Sequence, residues 1–508
     1  MNSLKNIIFI IFLIIFIGFV IDVFLIKKFL FSYVYEEWLI NYSQGFIRRG
    51  FPGSILFFFN NNYKIDIFKI IKLFSYFTFL LFSSIYLLKV KQSKKILDLE
   101  SLMVVLFLPS LILFPLHDPH VIGRKEILFF FGLFVNIFLL ETYLKVLNIK
   151  QNFENEQDTT RIINQYCYKL FICYNLLSIP TALSHESIIF LSLPLNIIIT
   201  SNFIRLKFSI KQVVLRSLII YFPTIFIAFL CFIFQGNDLS SIGICQSWQE
   251  YINQYKSINC DSAYLPARKM FTFTDNVPLV LQYFGLPIRY FFIEVWTNNI
   301  SSNNGLVFIK WLSAFSLCTI ILIRISSRIL SNYVEKFKQK IHWQYQYDKS
   351  LGFYSSINLN HLIPSFIFKY AFIPSIFSAV LYIIAQDWGR WFFVTSTSYT
   401  ICLLSPGLIL IEIVGNFKNK CNSRDKLQPK FLFFIYSTYL KILNLFCTFH
   451  SCKKISSIIY FLTIIFTLFI LKIPHHSHFW DWSFKPWLLP WLNRVKYFDQ
   501  FALIEILS

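Results

Sequence analysis

Charge is what this sequence has least of. Asp, Glu, Lys and Arg make up 14% of its 508 residues, against about 25% in an ordinary soluble protein. Acidic residues are the scarcer sign, 26 against 47 basic, which leaves a formal charge of +21. A chain of this length with so few charges has no polar surface to present to water on all sides. It also lacks a P-loop, G-x-G-x-x-G, G-x-S-x-G and H-E-x-x-H, which argues against ATP-driven transport within the chain and against the commonest hydrolase and metalloprotease sites. No C-x-x-C pair stands among the ten cysteines. The basic loops carry no interleaved aromatics, so the positive charge gives no nucleic-acid signal. There is no low-complexity linker, no internal repeat and no stretch resembling a soluble domain.

What is there is apolar. Hydrophobic residues make up 56% of the chain, 62 of them Phe. They fall into recurrent runs near the roughly 20 residues that an α-helix needs to cross a bilayer. Expected spans are 6–26, 68–88, 102–116, 127–147, 168–183, 187–200, 213–234, 306–325, 362–385, 392–414 and 455–473. The run 431–446 is ambiguous, and 277–296, interrupted by Pro287, Arg289 and Glu294, reads as interfacial or re-entrant. The first span is long for a signal-peptide core and has no small-x-small site before Lys27-Lys28, so it reads as an uncleaved anchor. The expectation is an all-α, polytopic helical membrane protein of about 11 transmembrane helices, forming one integral membrane domain over 1–508. Its partner is the lipid bilayer, and its location the cell's inner (plasma) membrane.

The loops sort by chemistry. With the N-terminus cytoplasmic, the segments 89–99, 145–165, 202–212, 326–350 and 415–430 are all cytoplasmic, and each carries Lys or Arg, as the positive-inside rule requires. The other face receives an amphipathic segment (27–65), the stretch His117–Glu126, Ser184-His185-Glu186, the largest outer loop (235–300), Gln386–Trp391 and the tail His475-His476-Ser477-His478. Lys27-Lys28 and Arg48-Arg49 lie outside against the rule, which makes them candidates for binding something anionic or else argues against the first span. Cys245 and Cys260 share the 235–300 loop and can form a disulfide if it faces an oxidising compartment.

The outer motifs are the candidates for chemistry. His117–Glu126 packs six ionisable side chains into ten residues between two apolar runs, and ionisable groups at membrane depth are functional by default. Asp118 or Glu126 can accept a proton or, with His117 and His120, offer ligands to a divalent cation. Arg124 and Lys125 can hold phosphate oxygens. The plainer alternative is a helix-end loop, in which Asp118 caps the fourth span and Glu126 pairs with Arg124 or Lys125. Asp387 and Arg390 stand one helical turn apart and can pair. His185-Glu186 sets an imidazole beside a carboxylate, with Glu186 as a helix cap the alternative. Arg48-Arg49, flanked by Gly45, Gly50 and Gly53, can clamp a diphosphate or snorkel from an interfacial helix. The His-rich tail reads as solvated rather than metal-binding. No metal site is assigned and no cofactor is identified, with a divalent cation held by Asp118 or Glu126 together with His117 and His120 as the option left open.

This layout resembles the C-type (GT-C) membrane glycosyltransferases and the related bacterial polysaccharide polymerases. The likeness lies in about ten or more spans, an acidic residue in the first outer loop (here Glu36 or Glu37), and a second acid in the outer loop between the third and fourth spans (here Asp118). Arg48, Arg49, Arg124 and Arg390 resemble the arginines such enzymes place on a polyprenyl-phosphate donor. The sequence departs from that pattern in having no Asp-x-Asp in either loop and no large outer soluble domain. The resemblance implies transfer of a sugar from a polyprenyl-phosphate-linked donor outside the cytoplasm, in surface polysaccharide or glycolipid assembly. Asp118, Glu37 or Glu186 would orient or deprotonate the acceptor, and Arg48, Arg49, His120, Arg124, Lys125, His185, Asp387 and Arg390 would bind substrate. Two other classes compete: a transporter or flippase for a lipid-linked or anionic substrate, and a non-catalytic envelope scaffold.

Overall fold

The computed structural model describes residues 2–25, 33–118, 121–147, 156–254, 260, 292–293, 295–301, 305–345, 359–421, 463–469, 471 and 473. Among these the regular structure is all helical. Six helices are long and apolar enough to cross a membrane, or seven counting one bent pair. The ambiguous run 431–446, most of the expected span 455–473, most of the segment 277–296 and the His-rich tail lie outside the described residues.

Helix α1 (Asn2–Leu25) buries Phe12, Phe16 and Phe19 along one stripe and exposes Ile7, Ile10, Ile14 and Ile17. That is the pattern of a helix with one face on protein and the rest on lipid. After the short helices α2 (Tyr33–Trp38) and α3 (Gly50–Tyr63) comes α4 (Ile67–Ser93), whose cap Asp66 accepts from the Lys69 N–H at 3.2 Å. Helix α5 (Leu99–Phe107) is capped in the same way by Asp98. Phe12 of α1 meets Phe107 of α5 edge-on at 5.2 Å.

The third expected span is not a continuous helix. Pro109 forces Leu108 into an extended conformation, with ψ of 127°, because a proline clashes with a helical preceding residue. The chain then runs through buried turns to α6 (Phe114–His117). A 3-10 turn, Lys125–Leu128, leads into α7 (Phe129–Val146), and together they make the most buried of the candidate spans. Helix α8 (Glu156–Ser184) contains the fifth expected span but is diluted by polar residues such as Asn175, Ser178 and Thr181. The sixth is broken into α9 (Ile188–Leu191) and α10 (Leu193–Ile204), where Ser192 leaves helical geometry ahead of Pro194.

Helix α11 (Ile210–Ile233) starts on a Ser209–Gln212 capping box. Beyond it lie α12 (Asp238–Asn253), α13 (Leu306–Tyr345), α14 (Leu359–Ile367) and α15 (Ile373–Ile384), the last two joined by the π-helical turn Phe368–Phe372. Helix α16 (Trp388–Leu403) and α17 (Pro406–Cys421) form the bent pair, meeting at 70°. Pro406 starts the second of them, so the tenth expected span is also broken.

Helices α7, α8, α10 and α11 pack together around a buried polar cluster. The Asn136 amide donates to Asn196 Oδ1 at 3.0 Å, and the Tyr166 hydroxyl donates to Asn136 Oδ1 at 2.6 Å. Such groups in a membrane interior must satisfy one another. Contacts between segments follow the sorting of the loops by charge. At one end Ser93 donates to Leu404 O, Asn332 to Ile96 O, and Arg328 pairs with Asp98. At the other, Trp38 donates to Gly123 O, Arg49 pairs with Glu186, and Arg390 with Glu126. The predicted cytoplasmic loops 89–99 and 326–350 thus meet each other, as do the predicted outer segments 27–65, 117–126, 184–186 and 386–391.

Candidate functional site

Five chain segments that lie far apart in sequence carry ionisable side chains into one buried network at the second of these ends. The starting point is Glu37 on α2, 1% exposed. Its Oε1 accepts from Arg49 Nη1 at 2.9 Å and its Oε2 from Arg124 Nη1 at 3.0 Å. Lys125 is fully buried; its Nζ donates to the Glu37 carbonyl at 2.9 Å and stands 5.3 Å from the Trp38 ring centroid. The Trp38 indole N–H donates to Gly123 O at 2.8 Å. Five contacts therefore clamp the end of α2 onto Gly123–Lys125 and Arg49.

Arg49 links Glu37 to Glu186. Its Nε and Nη2 reach the two Glu186 oxygens at 2.9 and 2.8 Å, a two-pronged grip that only a guanidinium can make. The backbone of Arg49 is left-handed, φ 65°, a conformation that costs a non-glycine residue about 1–2 kcal/mol. The contacts of its side chain hold it there. Arg48 Nη1 lies 3.6 Å from Glu186 Oε1. Gly53 is needed one turn further on, where a Cβ would stand 2.0 Å from the Ile40 carbonyl oxygen.

The second half of the network centres on Glu126. Arg390 Nη1 donates to its Oε1 at 2.7 Å, and His185 Nε2 lies 3.3 Å from the same oxygen and 3.8 Å from Glu37 Oε1. The His185 tautomer follows from its other nitrogen: the Ser187 backbone N–H donates to Nδ1, so Nδ1 is the acceptor and Nε2 carries the proton toward the two glutamates. Arg390 also pairs with Asp387 one turn earlier, as the spacing predicts.

Five cations (Arg48, Arg49, Arg124, Lys125, Arg390) thus face four carboxylates (Glu37, Glu126, Glu186, Asp387). Burial by itself would raise the Glu37 and Glu186 pKa values. The guanidinium of Arg49 outweighs it, with Arg124 and Lys125 helping at Glu37 and Arg48 at Glu186, and holds both carboxyls well below the usual range. The more accessible members are Arg48, Arg49 and Asp387, each with about a fifth of its side chain exposed. Four neighbouring residues have buried polar atoms with no hydrogen-bond partner among the described residues: Glu126 Oε2, Arg390 Nε, Trp391 Nε1 and the Gln386 amide. Each such group costs about 1–3 kcal/mol if left unpaired.

Of the residues singled out in the sequence, Glu37, Arg48, Arg49, Arg124, Lys125, His185, Glu186, Asp387 and Arg390 come together. Asp118 is fully buried at the end of α6. It does not cap the fourth span, since α7 has no side-chain cap. His120 lies outside the described residues. Glu126 pairs with Arg390 and His185 instead of with Arg124 or Lys125, and Glu186 grips Arg49 while α9 begins without a side-chain cap. Arg48 and Arg49 sit in a turn before α3 and are not on an interfacial helix. Sequence reasoning underrated Glu126, Trp38 and Gln386. Glu126 had a signal, a lone acid opening a long apolar run; Trp38 and Gln386 had only their adjacency to charged residues.

A disulfide, Cys245–Cys260, ties the middle of α12 to the chain beyond it. Through α12 it bears on the site: Trp248 Nε1 donates to Leu39 O at 2.7 Å and Asn41 Nδ2 to Ser247 Oγ at 2.9 Å, which pins the segment between Glu37 and Arg48. Among the described residues no group of three or more His, Cys, Asp or Glu is arranged to hold a metal.

Comparison with protein-family models, with curated proteins and with solved structures finds no match. The class rests on the molecule itself, whose apolar helices and lipid-type exposed faces are consistent with a helical, multi-pass membrane protein.

Proposed function

We propose that the chain is an integral membrane glycosyltransferase or polymerase that uses a lipid-linked sugar donor on the extracytoplasmic face, in surface polysaccharide or glycolipid assembly. This reading includes the finer topology: about 11 spans, a cytoplasmic N-terminus and residence in the inner (plasma) membrane. The observation that carries it is the Arg–Glu network, at the same end of the molecule as the Cys245–Cys260 disulfide, a bond of oxidising compartments. In this reading Arg48 and Arg49, at the accessible edge, take the donor's phosphate by exchanging it for Glu186; Arg48 holds that carboxylate at only 3.6 Å. Neutralising a leaving phosphate is work suited to guanidinium groups.

The carboxylates divide by how many of their oxygens are engaged. Glu37 and Glu186 are held ionised and engaged by arginines, so they position those arginines. Glu126 Oε2 has no hydrogen-bond partner among the described residues, and neither do Arg390 Nε, Trp391 Nε1 and the Gln386 amide, polar atoms that suit a hydroxyl-rich acceptor. Glu126 therefore takes the role of base, with His185 as its orienting donor. Asp118 stays a candidate for orienting the acceptor. The reading is tested by replacing Arg49 with Lys and Glu126 with Gln in cells that make the surface glycan; unchanged glycan from correctly inserted variants would overturn it.

A second reading, a transporter or flippase for an anionic or lipid-linked substrate, draws on a separate pair. Lys369 Nζ lies 2.8 Å from Glu412 Oε2, with Tyr370 and Asn202 also bonded to Glu412, toward the opposite end and at the π-helical turn. Charges at membrane depth toward both ends are what such a pathway requires.

A further inference from the structure

At the end of the molecule away from the charged network, the first turns of α8 border an open cavity of about 640 Å³. Its floor is one stripe of that helix: Gln157, Arg161 and Gln165 follow at i, i+4 and i+8, with Asn164 beside them and Tyr168 closing the stripe. Lys207, in the turn after α10, forms the opposite wall. Arg161 is exposed and makes no ion pair or hydrogen bond among the described residues. Arg216 adds a third cation nearby, its Nη1 donating to Asn164 Oδ1 at 2.6 Å and its guanidinium stacked over Phe208 at 3.9 Å. Asp158, one turn earlier, offsets one of these charges.

The same helix face continues as lipid-facing surface. From Tyr168, 67% exposed, the i+4 and i+8 positions are Ile172 and Leu176, the latter 70% exposed. Neighbouring α11 likewise exposes Leu215, Leu218 and Phe222. The stripe thus passes from amides and guanidinium, through a tyrosine, to bare aliphatics, which is the order a membrane protein presents from headgroup to acyl chain. The cations are on the side where the basic loops gather.

We propose that this cavity binds the phosphate headgroup of an anionic membrane lipid, with Arg161 and Lys207 on the phosphate, Gln157 and Gln165 on its ester and glycerol oxygens, and an acyl chain along Tyr168, Ile172 and Leu176. Basic pockets between helices at the cytoplasmic boundary recognise such lipids by this chemistry. The site is independent of the sugar-transfer reading.

The test uses the purified full chain in non-ionic detergent. It is titrated with phosphatidylglycerol or phosphatidylcholine of equal chain length, and retained lipid is counted by native mass spectrometry. The wild-type chain should prefer phosphatidylglycerol, and R161Q should weaken that binding about fivefold, the effect of one cationic side chain at an anionic surface. R161K should retain it, phosphatidylcholine binding should not change, and K207Q should give a comparable loss from the opposite wall. Inorganic phosphate at the same concentrations should not displace the lipid. Equal retention of the two lipids, or R161Q and K207Q both binding like the wild type, would overturn the proposal. Displacement by phosphate would overturn it too, by making the cavity a site for a soluble anion.

Discussion

Arg390 donates to Glu126 at 2.7 Å across a sequence separation of 264 residues. Both side chains are at most 4% exposed. This contact joins the bent helix pair near the end of the described chain to the turn that opens α7. Removing one partner of a buried ion pair strands the other and costs about 3–5 kcal/mol. R390A should therefore lower the thermal unfolding midpoint clearly in detergent. The E126L/R390M double variant should recover part of the loss, because a buried pair replaced by matched apolar groups is often neutral while Asp387 and His185 still lose a partner. No recovery in the double variant would show that the two residues do not act as a pair.

Arg49 is predicted to tolerate no conservative change. Lysine carries the charge but cannot bond Glu37 and both Glu186 oxygens at once. Arg49 is also left-handed at φ 65°, so R49G removes the backbone strain while losing every contact. R49K and R49G should both be less stable than the wild type, R49G the worse of the two if the side-chain contacts outweigh the strain. Comparing the two midpoints by thermal scanning decides that balance.

Acid should unfold the site over a defined window. Glu37 and Glu186 titrate well below the ordinary 4.5 when folded, so the folded state binds fewer protons than the unfolded one as pH falls. The stability they contribute is fully present above about pH 4.5 and is lost as pH drops through the folded values. Unfolding midpoints should hold between pH 7 and pH 5 and fall below that. In the E37Q/E186Q variant the acid fall should be shallower; an equally steep fall would place its cause elsewhere.

Reduction of Cys245–Cys260 should loosen the site at a distance. Closing a loop of about 15 residues stabilises a protein by about 3 kcal/mol in the chain-entropy account, and α12 holds Leu39 and Asn41 through Trp248 and Ser247. C245S/C260S should open the segment 39–68 to faster amide hydrogen exchange while leaving α7 and α10 protected. Uniform exchange rates in the two forms would rule out the coupling.

Much of this site was legible in the sequence because charge is so rare in it. Charge costs more at membrane depth than elsewhere, so Glu37, Arg49, Arg124, Glu186 and Arg390 stood out one by one. The sorting of basic from mixed loops placed them on one face. What could not be read was pairing. The partners of Glu126 lie at His185 and Arg390, and no local pattern links those positions, whereas the adjacent Arg124 and Lys125 misled. Helix continuity was misjudged where prolines sit inside apolar runs. Pro109, Pro194 and Pro406 each coincide with a break that hydropathy alone cannot register, since proline interrupts the hydrogen-bond ladder without making the segment polar. The long-range lock of α12 on Leu39 had no signal beyond the two cysteines.

The central claim is that Glu126 and Arg49 act on a lipid-linked sugar. Its most direct test is transfer in proteoliposomes containing the purified chain, a radiolabelled polyprenyl-phosphate sugar and an acceptor glycan. Wild-type protein should form labelled product. E126Q, compared per mole of folded protein, should lose about 10²-fold or more of the rate, as expected for a missing general base, and R49K should weaken donor use. Donor movement across the bilayer without product, or an E126Q rate equal to the wild type, would contradict the account.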